Sequence, residues 1–299
     1  MTQNNHVVIF MYAYHETKIH GSISFPYTLY GVRIPEAFES FPLHWHDEME
    51  IIYVISGSVV VSVQGDEYVL SDGELVCIQP QLIHSIRQNA DEKASYINIL
   101  FRLSMLENSG ADLCTEKFLD PVQTRRLMLQ RYIPKGHELC EDLGKCALKL
   151  IDIRLSGNSG NELMIKALLF EMLHYMSKCA EPENAEEFHV RSLHEKLKKS
   201  IAYVQSNYAE EITVAKAAAV SNFSPGHFSR MFRQLTGCSF TQYLINYRLE
   251  MAAKYLSEGE MKISEIAVSC GFNNLSYFTR AFAEKYGMTP RKYKAAADE

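Results

Sequence analysis

The pentapeptide Phe228-Ser229-Arg230-Met231-Phe232, followed five residues later by Gly237, recurs fifty positions on as Phe278-Thr279-Arg280-Ala281-Phe282, followed by Gly287. Aromatic residues four apart stack on one face of a helix, and the arginine between them projects to the side. The repeat extends downstream, where Ser239 and Tyr243 match Thr289 and Tyr293. Upstream, Ala218 and Phe223 match Ala267 and Phe272 at an offset of forty-nine, so the second copy has one extra residue in its turn. Two copies are too few for a solenoid, which needs three or more units. They fit a pair of helix-turn-helix units.

Residue types fill in each unit. Residues 212–220 form a small-residue helix with Thr213 as N-cap, and alanines let the next helix cross closely. Ser224-Pro225 reads as N-cap and first helical position of a helix running to Gly237. In the second unit Ser264 is the expected cap, Gly271 takes the turn, and Asn273 or Asn274 opens the helix ending at Gly287. Residues 239–256 read as an amphipathic helix that fixes the distance between the two units.

With Ser-Pro-x-x-Phe-Ser-Arg-x-Phe, the Gly271-Phe272 turn, Ser276-Tyr277-Phe278-Thr279-Arg280-Ala281-Phe282, and Gly287-Met288-Thr289-Pro290 with Tyr293, residues from about 195 to 294 resemble the DNA-binding domain of the AraC/XylS family of bacterial transcription regulators. The resemblance implies double-stranded DNA as partner, with two recognition helices in successive major grooves roughly 34 Å apart. Carried over residue by residue, it puts Gly226, His227, Ser229 and Arg230 on the first reading helix, and Asn274, Ser276, Tyr277 and Arg280 on the second, at or beside base-facing places. Arginine there can bridge guanine O6 and N7. Gly226 departs from the family pattern, which has a side chain at that place. Arg233 and Lys285 are the expected phosphate partners.

Charge is divided accordingly. The 299 residues carry a net −6, yet from residue 191 on, fifteen Lys and Arg face ten Asp and Glu, a local +5 against −11 elsewhere. A basic excess beside the repeat is what phosphate neutralisation requires. No apolar run reaches the length of a membrane span, and the N-terminus lacks a signal-peptide pattern, so the expected location is cytoplasmic, with no membrane partner. Seven scattered cysteines without a C-x-x-C pair read as reduced thiols.

Residues 6 to about 103 read as strands, at 7–12, 27–34, 49–55, 59–63, 67–70, 74–78 and 96–101, separated by turns such as Ser56-Gly57 and Ser71-Asp72-Gly73. Many short, evenly spaced strands suggest a jelly roll. Within it His44-Trp45-His46, then Glu50 and Gly57, resemble the first motif of the cupins, and alternation places His44, His46 and Glu50 on one strand face. The second cupin motif is partial: His84 keeps its distance from Gly73, but Pro80 comes one place late and Gln81 stands where glycine is expected. Such jelly rolls are the usual sensor domain of AraC-like regulators.

Three histidines and a carboxylate could ligate a divalent metal. That pattern supports an alternative of a different class, a metal-dependent cupin enzyme carrying a DNA-targeting domain. The attached DNA-binding domain favours instead an effector pocket of His44, Trp45, His46, Glu50 and His84, with no catalytic residue and no cofactor; a metal, if bound, would use His44, His46, Glu50 and His84. Hydrogen-bonding groups beside an aromatic ring suit a sugar. The plainer reading is that Trp45 packs in the core and the histidines satisfy one another.

Residues about 118–178 switch to helical spacing, including Leu127-Met128-Leu129 with Tyr132. They either cover the jelly roll or, as the family implies, pair two subunits into a homodimer. Residues 181–190 are acidic and aperiodic, the expected linker. The expectation is an α+β chain in two domains: residues 1–180 an N-terminal cupin-like jelly roll with following helices, residues 191–299 an all-α double helix-turn-helix. The expected function is a one-component regulator, an activator in the family pattern, with RNA polymerase as a further partner and a carbohydrate as effector.

Overall fold

The computed structural model describes residues 14–297 apart from 17, 19, 39, 109, 158, 159, 237 and 260. The strand expected at 7–12 and the glycine at 237 lie outside the described residues. Residues His15–Phe188 form one compact unit, and those from His189 on belong to a second.

The first unit is a sandwich of antiparallel sheets. Its strands are β1 (Tyr14–His15), β2 (Tyr27–Ile34), β3 (Ser40–Trp45), β4 (Met49–Ser56), β5 (Ser58–Val63), β6 (Asp66–Ser71), β7 (Leu75–Ile78), β8 (His84–Gln88) and β9 (Ala94–Phe101). A short helix α1 (Asp120–Gln123), strands β10 (Leu127–Met128) and β11 (Tyr132–Ile133), helices α2 (Cys140–Ser156) and α3 (Glu162–Ser177), and strand β12 (Glu181–Pro182) follow. One sheet has the order β1-β3-β8-β5-β6 and the other β11-β7-β4-β9-β2. The β4–β5 turn is tight at Gly57, where φ is +77° and an added Cβ would overlap the Lys93 carbonyl.

Strand β4 is apolar on both faces because both are covered. Ile52 and Val54 point between the sheets, among Val59, Val61, Ile78, Ile86 and Tyr96. Met49 and Ile51 point the other way, into a core completed by Leu143, Ala147 and Leu150 of α2 and Leu169, Met172 and Leu173 of α3. The helices thus cover the outer face of the second sheet. Period-2 parity puts Glu50 with Ile52 and Val54, inside the sandwich.

Three expectations are corrected. Leu127-Met128 and Tyr132 are strand, not helix: β10 pairs with β12 and β11 with β7. The buried Gln79 side chain holds this segment extended, donating to the Val122 and Leu127 carbonyls and accepting from Leu129 N. The stretch 181–190 is not irregular, since it contains β12 and the start of helix α4 (Ala185–Asn207). The histidines and Glu50 do not share one strand. The chain turns at Asp47-Glu48, leaving His44 on β3 and Glu50 on β4 of the opposite sheet.

After α4 the second unit is all helical: α5 (Val214–Val220), α6 (Pro225–Thr236), α7 (Phe240–Glu258), α8 (Ile263–Ser269), α9 (Leu275–Tyr286) and α10 (Pro290–Ala297). Side-chain caps start several of them, those at Thr213 and Asn274 as expected. Thr213 Oγ1 accepts from Lys216 N, Ser239 Oγ from Gln242 N, and Asn274 Oδ1 from Tyr277 N. Ser264 is not a cap: α8 begins a residue earlier, and Glu265 reaches back to the Lys262 N–H. The repeated aromatic pairs are buried as their spacing requires. Phe228 and Phe232 pack on Phe240, and Phe282 packs on Tyr286 and Tyr293. No helix among the described residues is long and apolar enough to cross a membrane.

Candidate functional site

The buried face of the sandwich holds a charged cluster. The pairing of β3 with β8 sets His44 directly opposite His84, and their ring centroids lie 4.0 Å apart. Glu50 reaches them from the other sheet, with its Oε2 2.8 Å from His46 Nε2 and 2.9 Å from His84 Nε2. All four side chains are buried, and their donor atoms lie within 4.8 Å of one another. His44 Nδ1 donates to the Pro42 carbonyl and His84 Nδ1 to the Leu82 carbonyl, both at 2.8 Å. A carbonyl only accepts, so these bonds fix the tautomer and turn each Nε2 toward the cluster.

Burial and the neighbouring rings set the charges. Burial, then His84 and His46, hold His44 well below the usual imidazole range. Burial opposes the charge on Glu50, but the facing His84 and His46 overcome it and hold the carboxyl well below the usual carboxylate range. For His46, burial is outweighed by the hydrogen bond and charge of Glu50, with Glu16 and Glu48 adding to the upward shift. A second layer surrounds the cluster. Glu48 Oε2 is 3.6 Å from His46 Nδ1 and Glu48 Oε1 accepts from Arg102 at 2.9 Å, while Glu16 lies 3.7 Å from both His44 and His20. Three imidazoles and a carboxylate converging in this way could hold a divalent metal ion.

The cluster opens on a cavity of about 240 Å³ whose lining includes His44, His46, Glu50, His20, Glu16, Tyr30, Phe41, Tyr96 and Asn98. Of the expected effector residues, His84 stands behind this lining, in contact with Glu50. Trp45 does not line the cavity; it is buried and stacks on His15. Sequence reading missed Glu16, His20 and Glu48. The first two lie in an irregular segment with no periodicity to mark them, although His20 is only 3% exposed.

In the helical unit, Gly226, Ser229, Arg230 and Arg233 on α6 are exposed, and His227 is half-buried against Phe223. Asn274, Ser276, Tyr277 and Arg280 at the start of α9 are exposed as well. Neither Arg230 nor Arg280 forms an ion pair among the described residues, and Arg280 lies over the Tyr277 ring at 5.8 Å. Ser229 Oγ and the Asn274 side-chain oxygen are already engaged, with the Pro225 carbonyl and the Tyr277 N–H. Lys285, expected at a phosphate, turns inward instead: its Nζ meets Glu250 at 2.7 Å and the Asn246 carbonyl at 3.1 Å.

A family model described as AraC-like ligand binding domain matches residues 27–173, and one described as helix-turn-helix domain matches residues 217–296. The HTH-type transcriptional regulator YobQ of Bacillus subtilis is 31% identical over 170 residues, 55% of this chain and 70% of the relative. The HTH-type transcriptional activator RhaS of Escherichia fergusonii is 25% identical over 293 residues, 94% of this chain and 98% of the relative. Among solved structures, ToxT from Vibrio cholerae bound to (E)-4-(8-methylnaphthalen-1-yl)but-3-enoic acid is 14% identical, covering 91% of this chain and 99% of that one, with a TM-score of 0.45.

Proposed function

Since the chain belongs to the AraC family of transcription regulators, with an AraC-like ligand-binding domain and a helix-turn-helix domain, we propose that it is a one-component regulator whose sandwich cavity takes a small, oxygen-rich effector of the sugar or polyol class. The observation that carries this reading is the half-open cavity with a polar floor of His44, His46 and Glu50 and aromatic walls of Tyr30, Phe41 and Tyr96. Polar groups that fix orientation and rings that stack on a flat apolar face are the two contacts a sugar uses. The cavity is small, which favours a monosaccharide-sized ligand over a larger one.

The DNA contacts in this reading are Gly226, His227, Ser229, Arg230 and Arg233 on α6, and Asn274, Ser276, Tyr277 and Arg280 at α9. Two copies pair through an exposed stripe on α3, Leu163, Ala167, Phe170 and His174, beside Leu148 and Leu155 of α2. Effector binding alters that pairing and so DNA occupancy and contact with RNA polymerase. The test is anisotropy of labelled promoter DNA from the chain's own gene cluster, titrated with full-length protein in the presence of a panel of sugars. Salt-sensitive binding that one sugar shifts, and that Glu50→Gln leaves in place but makes unresponsive, is the expected result. Binding that no small molecule of the panel changes would remove the sugar from the reading.

A further inference from the structure

We infer that the cleft between strand β2 and the α2–α3 hairpin, outside the sandwich, is a second small-molecule site, built for a monocarboxylate with an apolar tail. It shares no lining residue with the cavity between the sheets and does not depend on the sugar reading above.

Strand β2 is the last of its sheet, with β9 on one side and a free edge on the other. Tyr27 and Leu29 share the parity that turns them toward the helices, and the Tyr27 ring packs beside Phe25. Between this end of β2 and the hairpin lies a half-open cleft of about 380 Å³. Its apolar walls are Phe25 and Leu29 from the sheet side and Leu150, Ile153 and Ile165 from the helices. A cleft of this size sits at the small end of those that take organic ligands.

Arg154 supplies the charge. It follows Leu150 by one helical turn, which lays its stem beside the apolar wall and leaves its head exposed. Its Nη1 donates to the Leu29 carbonyl of the edge strand. That bond aims the group and leaves its other donors for a ligand, since among the described residues Arg154 has no carboxylate partner. Glu162 lines the same cleft without pairing with it. A guanidinium fork matches a carboxylate through two parallel hydrogen bonds. Tyr27 adds a further donor. Its hydroxyl forms no hydrogen bond among the described residues, and burial pushes the phenol up to about 12 against the pull of Arg154, so the proton stays on at neutral pH.

The two halves of the cleft select the ligand together. An ammonium would be repelled by Arg154, and inorganic phosphate would leave the apolar walls uncovered. A carboxylate on a short alkyl chain or a single ring satisfies both. Bound there, it touches the hairpin that carries the exposed Leu148, Leu163 and Phe170, an input separate from the cavity between the sheets.

The experiment titrates full-length protein in a calorimeter with octanoate or hydrocinnamate, and with octanol or hydrocinnamyl alcohol as uncharged counterparts, following thermal unfolding in parallel. One acid per chain with a rise in Tm is expected, and the matching alcohol should bind about tenfold more weakly or worse. The two acids distinguish an alkyl from an aromatic source. Arg154→Gln should weaken acid binding about tenfold or more and leave the alcohol unchanged, and Tyr27→Phe should weaken the acid about fivefold. Arg154→Lys keeps the charge but not the fork; it should fall in between, and it decides the matter if the glutamine variant does not fold. Glu162→Gln removes a like charge and should tighten the acid by up to about twofold. Tyr30→Trp, which fills the cavity between the sheets, should leave acid binding as it is. Three results would overturn the site: no saturable binding of either acid, equal binding of acid and alcohol, or a loss in Tyr30→Trp with none in the two Arg154 variants.

Discussion

The two helix-turn-helix units repeat one plan with different fillings. At the turn, the first unit uses Asn222 at φ +54° and the second Gly271 at φ +79°. Asn222 is exposed, while a Cβ at Gly271 would come within 2.8–2.9 Å of the Ala209 carbonyl, the Tyr208 carbonyl and the Arg248 guanidinium. Arg248 is held there by carbonyls of the turn that follows α4, donating to Tyr208 O and Glu210 O at 2.7 Å. The reading helices differ too. Asn274 caps α9 at 2.9 Å, whereas the corresponding Ser224 contact on α6 is a long 3.4 Å. Arg280 rests over Tyr277, and among the described residues no ring carries Arg230. The second unit is therefore the more tightly organised of the two, and on the function proposed above specificity gained through preorganisation is expected there.

The sharpest way to break that contrast is a matched pair at the turn. Gly271→Ala should cost roughly 3–4 kcal/mol from left-handed strain and overlap together. Asn222→Ala should cost about 1 kcal/mol, since only the backbone conformation is disfavoured there. Far-UV circular dichroism in urea measures both; Trp45, the single tryptophan, lies in the other unit and would not report them. Equal losses would erase the distinction between the two turns.

Next comes Lys285, whose counterpart in the first unit is Leu235. Its side chain is 11% exposed and pairs with a Glu250 that is 3% exposed. Lys285→Leu copies the first unit's residue but removes the cation 2.7 Å from that buried carboxylate, costing about 3 kcal/mol. Adding Glu250→Gln should recover most of that loss. Failure of the double variant to recover stability would show that the lysine acts through packing and not through its charge.

Arg280→Ala should remove roughly 1–3 kcal/mol of discrimination at one half-site, and Arg230→Ala less, because Gly226 offers no side chain beside it. A randomised operator library at fixed salt measures each. Uniform weakening across all sequences would make both arginines phosphate anchors. The smallest effect is expected from Arg233→Ala, which should lower the salt slope of DNA binding by about one and leave stability unchanged.

The repeat was legible because period and parity dictate it. Phe228, Phe232, Phe278 and Phe282 are all fully buried, and the caps Thr213 and Asn274 make the bonds their positions demand. The jelly-roll strands with continuous apolar runs were legible for the same reason. Strand β3 was not, because Pro42 interrupts its pattern and its pairing with β8 slips between Phe41 and His44. Strand β8, with Ile86 as its one large apolar residue, gave no run to recognise. The four cluster residues stood out by type, but only the fold shows that they meet across two sheets. Lys285 illustrates the opposite limit, since charge alone cannot tell a surface cation from one drawn inward by a buried glutamate.

Strand β4 threads Glu50 between Met49 and Ile51, which face the helices, and Ile52, which faces the sandwich interior. Both cores are close-packed, and such interiors answer a displacement by moving together and not by compressing. On the function proposed above, a ligand that tugs on Glu50 would tilt the strand like a seesaw plank, and the residues on its far side would press on α2 and α3. Those helices carry on their outer faces the apolar side chains Leu148, Leu163 and Phe170. In that proposal the sandwich wall itself would be the transmission shaft.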